Sequence, residues 1–307
     1  MALLSIVIPS YNEEQVLPKT AAILKSVLEE ENIEYQLIFV DDGSGDDTWK
    51  VITDEASKNP WITGIHFSRN FGKEAAIFAG LAYARGDCCG IMDCDLQHPP
   101  RTLVEMYRLW EQGYEVVEGV KRSRGQENLL YAAGVGFFYK IMSKATRVNM
   151  SRASDFKLLD KKAVEVLLDM PERNTFFRAM SSWIGYKTTS VEFDVQERVG
   201  GESKWSARSL IRYAFTDIAA YSSAPMQLVT GAGVLTFLLA LVLGIQTILR
   251  FAMGHAVEGF TTVILLILFL GSIVMMSLGI IGYYIAKIYE EIKRRPRYII
   301  SKTTEKC

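Results

Sequence analysis

Two aspartates one residue apart follow an apolar run in the first third of the chain. Asp93 and Asp95 come directly after residues 88–92, and Gln97 continues the same spacing. Side chains alternate along an extended strand, so this spacing directs both carboxylates to one side, where they repel each other. A hard cation such as Mg²⁺ or Mn²⁺ would relieve the repulsion, with the Gln97 amide as a neutral oxygen ligand. The competing interpretation is an acidic turn at the end of a buried strand.

The elements that would position this pair alternate along residues 1–120. Strand patterns cover residues 3–9, 35–40, 62–67, 88–92 and 116–120, and helical patterns cover residues 13–31, 48–56, 73–84 and 102–110. Such alternation predicts a mostly parallel sheet with helices on both faces, in which ligands bind at the carboxyl ends of the strands. Polar residues follow three of these strands, at positions 10–13, 41–44 and 93–95. We therefore expect the three clusters to meet in one site.

Composition and motifs exclude several classes of protein. The 307 residues include 34 Lys and Arg and 35 Asp and Glu, and the formal net charge of −1 argues against a nucleic-acid partner. Neither a dinucleotide fingerprint nor a P-loop motif occurs in the sequence. The cysteines, at positions 88, 89, 94 and 307, lack the spacing of a zinc site and indicate a reducing compartment. The N-terminus lacks the basic region of a signal peptide, so we expect the large domain in the cytoplasm.

Two apolar stretches, at residues 226–251 and 260–286, dominate the C-terminal third. Each exceeds the ~20 residues that span a bilayer, so we predict two transmembrane helices, with a pair of buried core helices as the alternative. Lys and Arg flank both stretches but are absent from the linker 252–259. The positive-inside rule then places both termini in the cytoplasm, at the inner cell membrane. Residues 206–224 combine apolar and basic residues and could form an amphipathic helix at the membrane surface.

The motifs together resemble those of a known family. Residues 8–14, 40–48, 69–73 and 93–100 resemble segments of the family 2 glycosyltransferases of the GT-A fold, above all the polyprenyl-phosphate glycosyltransferases. The resemblance covers nearly the whole chain and implies a Rossmann-like α/β domain with two C-terminal transmembrane helices. Cys94 departs from the alanine common in that family, and we expect its side chain to be buried and inert.

The resemblance also implies which residues bind the donor. Those expected to bind a nucleotide sugar are Pro9, Tyr11, Glu13, Asp41, Asp42, Lys73 and Asp93. Those expected to hold Mg²⁺ or Mn²⁺ against the diphosphate are Asp93, Asp95 and Gln97.

A second group of residues is implied for the acceptor phosphate and for catalysis. The acceptor group comprises Arg122, Arg198, Ser203 and Lys204, and the catalytic group comprises Asp155, Asp95, Arg198 and Lys204. Residues 198–204 could also be no more than a basic, glycine-containing loop near the membrane, and Arg122 could equally contact lipid headgroups. Asp155 is either a general base or a positioning residue. A phosphate monoester has a second pKa near ~6 and so has little proton to lose at neutral pH.

We therefore predict an inverting, metal-dependent glycosyltransferase that moves a hexose, best assigned as glucose from UDP-glucose, onto polyprenyl phosphate at the cytoplasmic membrane face. The alternatives are another sugar, such as mannose, GlcNAc, galactose or aminoarabinose, another lipid acceptor, or a non-catalytic sugar-nucleotide-binding scaffold. The predicted division is a catalytic domain at 1–205, a juxtamembrane helix at 206–224, a transmembrane hairpin at 225–288 and a basic tail at 289–307. By analogy we expect a homo-oligomer, for which a tetramer is a plausible form.

Overall fold

A computed structural model describes residues 2–122, 154–172, 176–194, 224–253 and 259–305 of the chain. The strands are β1 (Leu3–Ser10), β2 (Glu34–Asp41), β3 (Ile62–Phe67), β4 (Cys88–Ile91), β5 (Val116–Lys121), β6 (Lys157–Asp160), β7 (Thr188–Phe193) and β8 (Ile300–Thr303). The helices are α1 (Leu17–Glu30), α2 (Thr48–Lys58), α3 (Lys73–Tyr83), α4 (Pro100–Glu111), α5 (Lys161–Asp169), α6 (Phe177–Trp183), α7 (Ala224–Ala252) and α8 (Phe260–Ile292).

The described strands form one sheet in the order β7-β5-β6-β4-β1-β2-β3-β8. The four central strands, β4, β1, β2 and β3, run parallel to one another. β6 is antiparallel to both of its neighbours, and β8 is antiparallel to β3. The predicted, mostly parallel α/β sheet is therefore confirmed.

Helices cover both faces of the sheet, which explains why the central strands are continuous apolar runs. On one face α1, α2 and α4 contribute buried side chains such as Leu24, Ile52 and Leu103. On the other face α3, α5 and α6 contribute Phe78, Leu167 and others. α3 lies so close to β1 that a Cβ atom at Gly80 would be 2.3 Å from a methyl carbon of Val7. The absence of a side chain at this position allows the helix to pack directly on the strand.

The chain returns to this sheet after the second apolar helix. Within the segment predicted as a basic tail, β8 pairs with β3, and Ile65 lies opposite Thr303. The ring of Tyr298 stacks on that of Phe67 at a centroid distance of 5.2 Å. The backbone N–H of Gly64 donates to Thr304 Oγ1 at 2.8 Å. Residues 295–305 thus belong to the same compact unit as the sheet.

The two C-terminal helices form a separate unit. α7 contains Val229–Arg250, with a mean hydropathy of 2.3 in its most apolar window, and α8 contains Phe269–Ile292, with 1.8. Both helices are long and apolar enough to cross a membrane, and neither window is buried inside the structure. Such exposure argues against the alternative of two core helices. The predicted amphipathic segment up to residue 223 lies outside the described residues.

Tyr298→Ala tests whether the return segment stabilises the sheet. The substitution removes a half-buried ring from Phe67, and we expect the free energy of unfolding to fall by about 2 kcal/mol. That loss corresponds to a melting temperature about 4–8 °C lower, measured on the purified protein in detergent. Ile299→Ala is the control, since that neighbouring side chain is 52% exposed. Equal melting temperatures for the two variants would contradict the role of the stacked ring.

Candidate active site

The three polar clusters meet at the carboxyl edge of the parallel strands, as predicted. The register of β1 and β2 places Ser10 opposite Asp41, and the N–H of Asp42 donates to the carbonyl of Ser10 at 2.9 Å. The loops beyond these strands are joined by Asn12, whose N–H donates to Ser44 Oγ and whose Oδ1 accepts from a backbone N–H, each at 2.9 Å. Asn12 has a φ of 55°, a left-handed conformation that asparagine tolerates better than most residues.

Both carboxylate oxygens of Asp41 bind other groups of the protein. Its side chain is fully buried, with Oδ2 at 2.7 Å from Nδ1 of His66. Its Oδ1 accepts from the N–H of Ser44 at 2.9 Å. In this geometry the Asp41 carboxylate shapes the loop that follows β2, and its direct contact with a nucleotide stays a prediction.

Asp42 anchors the segment that leads into α3. Its Oδ1 accepts from the N–H of Phe71 at 2.7 Å, and its Oδ2 accepts from the N–H of Gly72 at 2.9 Å. The loop after β2 approaches the segment between β3 and α3 closely. A Cβ atom at Gly43, where φ is 66°, would lie 2.4 Å from the carbonyl carbon of Arg69. These contacts fix the backbone from which Lys73 projects.

Lys73 joins two carboxylates that are distant in the sequence. Its Nζ lies 2.5 Å from Oδ1 of Asp93 and 3.0 Å from Oδ2 of Asp155. Asp155 precedes β6 and is also gripped by Arg178 of α6 through two parallel hydrogen bonds, Nε to Oδ1 at 2.6 Å and Nη2 to Oδ2 at 2.8 Å. Four side chains therefore form a continuous row of alternating charge: Asp93, Lys73, Asp155 and Arg178. We refer to them as the charged row.

Arg178 was not identified from the sequence. It belongs to a seven-residue helix and meets Asp155 only through the tertiary fold. The available signal was a single charge inside an otherwise apolar run, residues 176–180. Glu74 supports the same helix, since its Oε2 accepts from the N–H of Phe177 at 2.8 Å. Burial, followed by the charge of Asp155, raises the pKa of Glu74.

The electrostatics of the charged row make Asp155 a weak base. Burial alone would raise the pKa of Asp155, but Lys73 and Arg178 outweigh that effect and hold the pKa well below its usual range. Burial likewise favours the neutral form of Lys73, but Asp155 and Asp93 raise the pKa of the ammonium group instead. At neutral pH both side chains are therefore ionised, and a carboxylate of such low pKa accepts a proton poorly.

Asp93, Asp95 and Gln97 lie on a tight loop after β4. Leu96 has a φ of 58°, and the N–H of Gln97 donates to Asp95 Oδ1 at 3.1 Å. The N–H of Asp93 donates to Nδ1 of His98 at 3.3 Å, and the His98 ring stacks on Phe156. Burial lowers the pKa of His98, so a neutral imidazole accepts this hydrogen bond.

Cys94 is buried, as predicted. Burial raises the pKa of its thiol to about 12, so the group is not ionised at neutral pH. Its carbonyl accepts from Thr20 Oγ1 at 2.6 Å, which fixes the loop to α1.

The oxygens of this loop fit a magnesium or manganese ion that is shared with a substrate. Among the described residues, no three His, Cys, Asp or Glu side chains converge on one point. Mg²⁺ in proteins characteristically uses one or two carboxylates and completes its shell with water and substrate phosphates. The Asp93 carboxylate already binds a cation, the Lys73 ammonium, and is one-third exposed. Two carboxylates and an amide oxygen are chemically suited to such a shared ion, and the metal-binding role of Asp93, Asp95 and Gln97 stays a prediction.

The remaining predicted residues are placed as follows. Tyr11 lies beyond β1 with 40% of its surface exposed, next to Glu13, whose N–H donates to Thr48 Oγ1 at 2.9 Å. Pro9 lies on β1 opposite Val40. Arg122, just after β5, is 60% exposed and pairs with Asp194 at 3.1 Å.

The predicted Arg198, Ser203 and Lys204 lie outside the described residues. Their roles towards the acceptor phosphate stay predictions.

Comparison with known proteins identifies the family. The model of glycosyl transferase family 2 matches residues 5–168 of the chain. An uncharacterized glycosyltransferase of Synechocystis sp. is 38% identical over 300 residues, which cover 97% of this chain and 94% of that protein. The chain belongs to glycosyl transferase family 2.

Two further similarities complete the comparison. A bactoprenol glucosyl transferase of Shigella phage SfII is 33% identical over 302 residues, which cover 98% of each chain. The crystal structure of glucosyl-3-phosphoglycerate synthase from Mycobacterium tuberculosis, in complex with Mn²⁺, UDP and phosphoglyceric acid, is 19% identical to this family 2 chain. That likeness has a TM-score of 0.49 and covers 71% of this chain and 76% of the other.

Arg178→Met tests whether Arg178 keeps the Asp155 carboxylate ionised. One of two neighbouring cations is lost, so the pKa of Asp155 rises towards its ordinary value. We expect sugar transfer at neutral pH to slow by about 10- to 100-fold because Asp155 loses its bidentate partner. The rate of the variant should fall further as the pH drops towards about 4, while the wild type keeps Asp155 ionised over the same interval.

Initial rates of transfer across this pH range are the measurement. The control is Arg108→Met, which breaks an exposed ion pair of α4 with Glu111 at 3.0 Å. A loss of rate for Arg178→Met that is identical at every pH would refute the effect on the ionisation of Asp155.

Proposed function

We propose that this enzyme is an inverting transferase that moves a hexose from a nucleotide sugar onto a polyprenyl phosphate. We assign glucose as the transferred sugar and UDP-glucose as its donor. One observation carries the proposal: the match to a bactoprenol glucosyl transferase extends over 98% of both chains and so includes the two apolar helices. A membrane hairpin joined to a soluble α/β unit has a physical reason if the acceptor is itself a membrane lipid.

The donor would bind at the carboxyl edge of the sheet. The loops after β1 and β2, held together by Asn12 and Ser44, would form the pocket for the base and ribose. Pro9, Tyr11 and Glu13 would line one wall of it, and Asp41 and Asp42 would shape the other.

The diphosphate would extend from that pocket towards the charged row. Asp93, Asp95 and Gln97 would hold Mg²⁺ or Mn²⁺ there, and such an ion would neutralise charge on the departing nucleoside diphosphate. Lys73, whose ammonium lies 2.5 Å from Asp93 in the structure, would contribute a second positive charge beside the same phosphates.

The transfer itself needs no proton acceptor on the protein. An oxygen of the acceptor phosphate attacks the anomeric carbon of the sugar, the bond from that carbon to the nucleoside diphosphate breaks, and the configuration inverts. The acceptor is already largely a dianion at neutral pH, and the low pKa of Asp155 opposes protonation of its carboxylate. We therefore assign Asp155 the role of holding Lys73 and Arg178 in place. Arg122, Arg198, Ser203 and Lys204 would bind the acceptor phosphate.

We further propose that the α/β unit and both termini lie in the cytoplasm, at the inner cell membrane. The supporting observation is that Lys and Arg flank the two apolar helices but are absent from the linker between them. A homo-oligomer, for which a tetramer is a plausible form, completes the proposal.

A donor screen tests the activity. Purified protein in detergent is incubated with undecaprenyl phosphate, MnCl₂ or MgCl₂, and radiolabelled UDP-glucose, UDP-galactose, UDP-GlcNAc or GDP-mannose. We expect lipid-soluble label with UDP-glucose, and a much lower rate with the other donors. If no donor yields a lipid-linked sugar, the proposed function is wrong; a different preferred donor would correct only the sugar assignment.

Asp95→Ala tests the metal-binding role. We expect transfer to fall at least about 100-fold, because the developing charge on the leaving group loses its main counter-charge. The melting temperature without metal should stay close to that of the wild type. The matched control is Asp169→Ala, an exposed aspartate at the end of α5, which should transfer at the wild-type rate. Wild-type activity of Asp95→Ala would exclude this residue as a ligand.

A further inference from the structure

The ammonium group of Lys73 lies where a metal-bound donor is expected. It contacts Oδ1 of Asp93 at 2.5 Å, and Asp93 belongs to the proposed set of metal ligands. A divalent cation and an ammonium group cannot both lie within contact distance of one carboxylate oxygen without strong mutual repulsion. The two cations therefore compete for Asp93.

The position of Lys73 in the chain is electrostatically unusual. It is the first residue of α3, where the helix dipole disfavours a positive charge. Two carboxylates, Asp93 and Asp155, compensate for this location. The residue that follows Lys73, Glu74, lies in the same turn and accepts a hydrogen bond from the N–H of Phe177 in α6.

A metal ion from solvent can reach Asp93 but not Asp155. The side chains of Lys73 and Asp93 are 39% and 33% exposed, whereas that of Asp155 is 8% exposed. Asp155 is also fixed by the two hydrogen bonds from Arg178. An incoming cation can therefore displace Lys73 from Asp93 from the solvent side, while the contact with Asp155 persists.

The backbone before Lys73 does not need to move in such an exchange. The N–H groups of Phe71 and Gly72 are both bound by Asp42, which fixes the start of α3. The flexible four-carbon stem of a lysine is sufficient to move its ammonium group by a few ångströms.

We propose that Lys73 is a built-in counter-cation that neutralises Asp93 before the donor binds and that yields this carboxylate to the metal ion. The inference rests on the proposed function, since it assumes that Asp93 is a metal ligand. It adds a competition that a simple phosphate-binding lysine would not show: removal of Lys73 strengthens the binding of metal to the nucleotide-free enzyme.

The test is a titration of the purified full-length protein with MnCl₂ in the absence of nucleotide, with free Mn²⁺ measured by electron paramagnetic resonance. We expect Lys73→Met to bind Mn²⁺ at least about fivefold more tightly than the wild type, because a competing positive charge a few ångströms away is lost. Lys73→Arg keeps the charge and pairs more strongly with carboxylates, so it should bind Mn²⁺ no more tightly than the wild type. Lys58→Met is the control, because it removes the same charge from an exposed ion pair with Glu55 at 3.0 Å.

An unchanged or weaker affinity of Lys73→Met for Mn²⁺, or no binding at all, would overturn the inference. If Lys73→Met does not fold, the outcome depends on Lys73→Arg, and tighter Mn²⁺ binding by that variant overturns the inference. A second titration in the presence of UDP separates the two proposals. If the wild type binds Mn²⁺ with UDP but Lys73→Met shows no gain in the nucleotide-free titration, only the competition is refuted. If the wild type does not bind Mn²⁺ even with UDP, the metal site is refuted as well.

Discussion

The ion pairs of Asp155 hold together parts of the chain that are distant in the sequence. Asp155 precedes β6, Lys73 begins α3, and Arg178 lies on α6, so one carboxylate connects three elements. A buried carboxylate with a single partner can be destabilising, because its desolvation penalty can exceed the gain from one contact. Two cations and bidentate geometry compensate for the burial. The position of the loop that carries Asp93 relative to α6 depends on this compensation.

A second buried ion pair helps to fix the position of α6. Lys157 of β6 is fully buried, and its Nζ contacts Glu118 of β5 at 2.5 Å and Ser182 of α6 at 3.1 Å. Burial disfavours the charged form and lowers the pKa of Lys157, and Glu118 only partly offsets this effect. The antiparallel strands β5 and β6 therefore contribute more than sheet area. They fix α6 at its Ser182 end, and the charged row fixes it at Arg178.

The sequence predicted the parallel half of the sheet and the meeting of the acidic clusters, but it did not predict β6, β7, β8 or Arg178. The central strands are buried on both faces, so each is a continuous apolar run with polar residues at its end. β6 has only four residues and contains Lys157, whose burial depends on Glu118 in another strand. β8, with the sequence Ile-Ser-Lys-Thr, lies at the edge of the sheet and lacks an apolar pattern. The pairing of Arg178 with Asp155 is a tertiary contact that periodicity cannot indicate.

The difference between sequence patterns and tertiary contacts also explains why two roles for Asp155 were compatible with the sequence. From the sequence, an acidic residue near an acceptor could equally be a base or a positioning group, since its type is compatible with both. The structure adds two cations within hydrogen-bonding distance, and these lower the pKa of the carboxylate. A low pKa is a disadvantage for a base but an advantage for a permanent anion that must hold two cations near a highly charged substrate. The proposed transfer joins an anionic nucleophile and an anionic leaving group, so it requires positive charge at a fixed position. Lys73 and Arg178 would supply that charge, and a permanently ionised Asp155 would hold them in place.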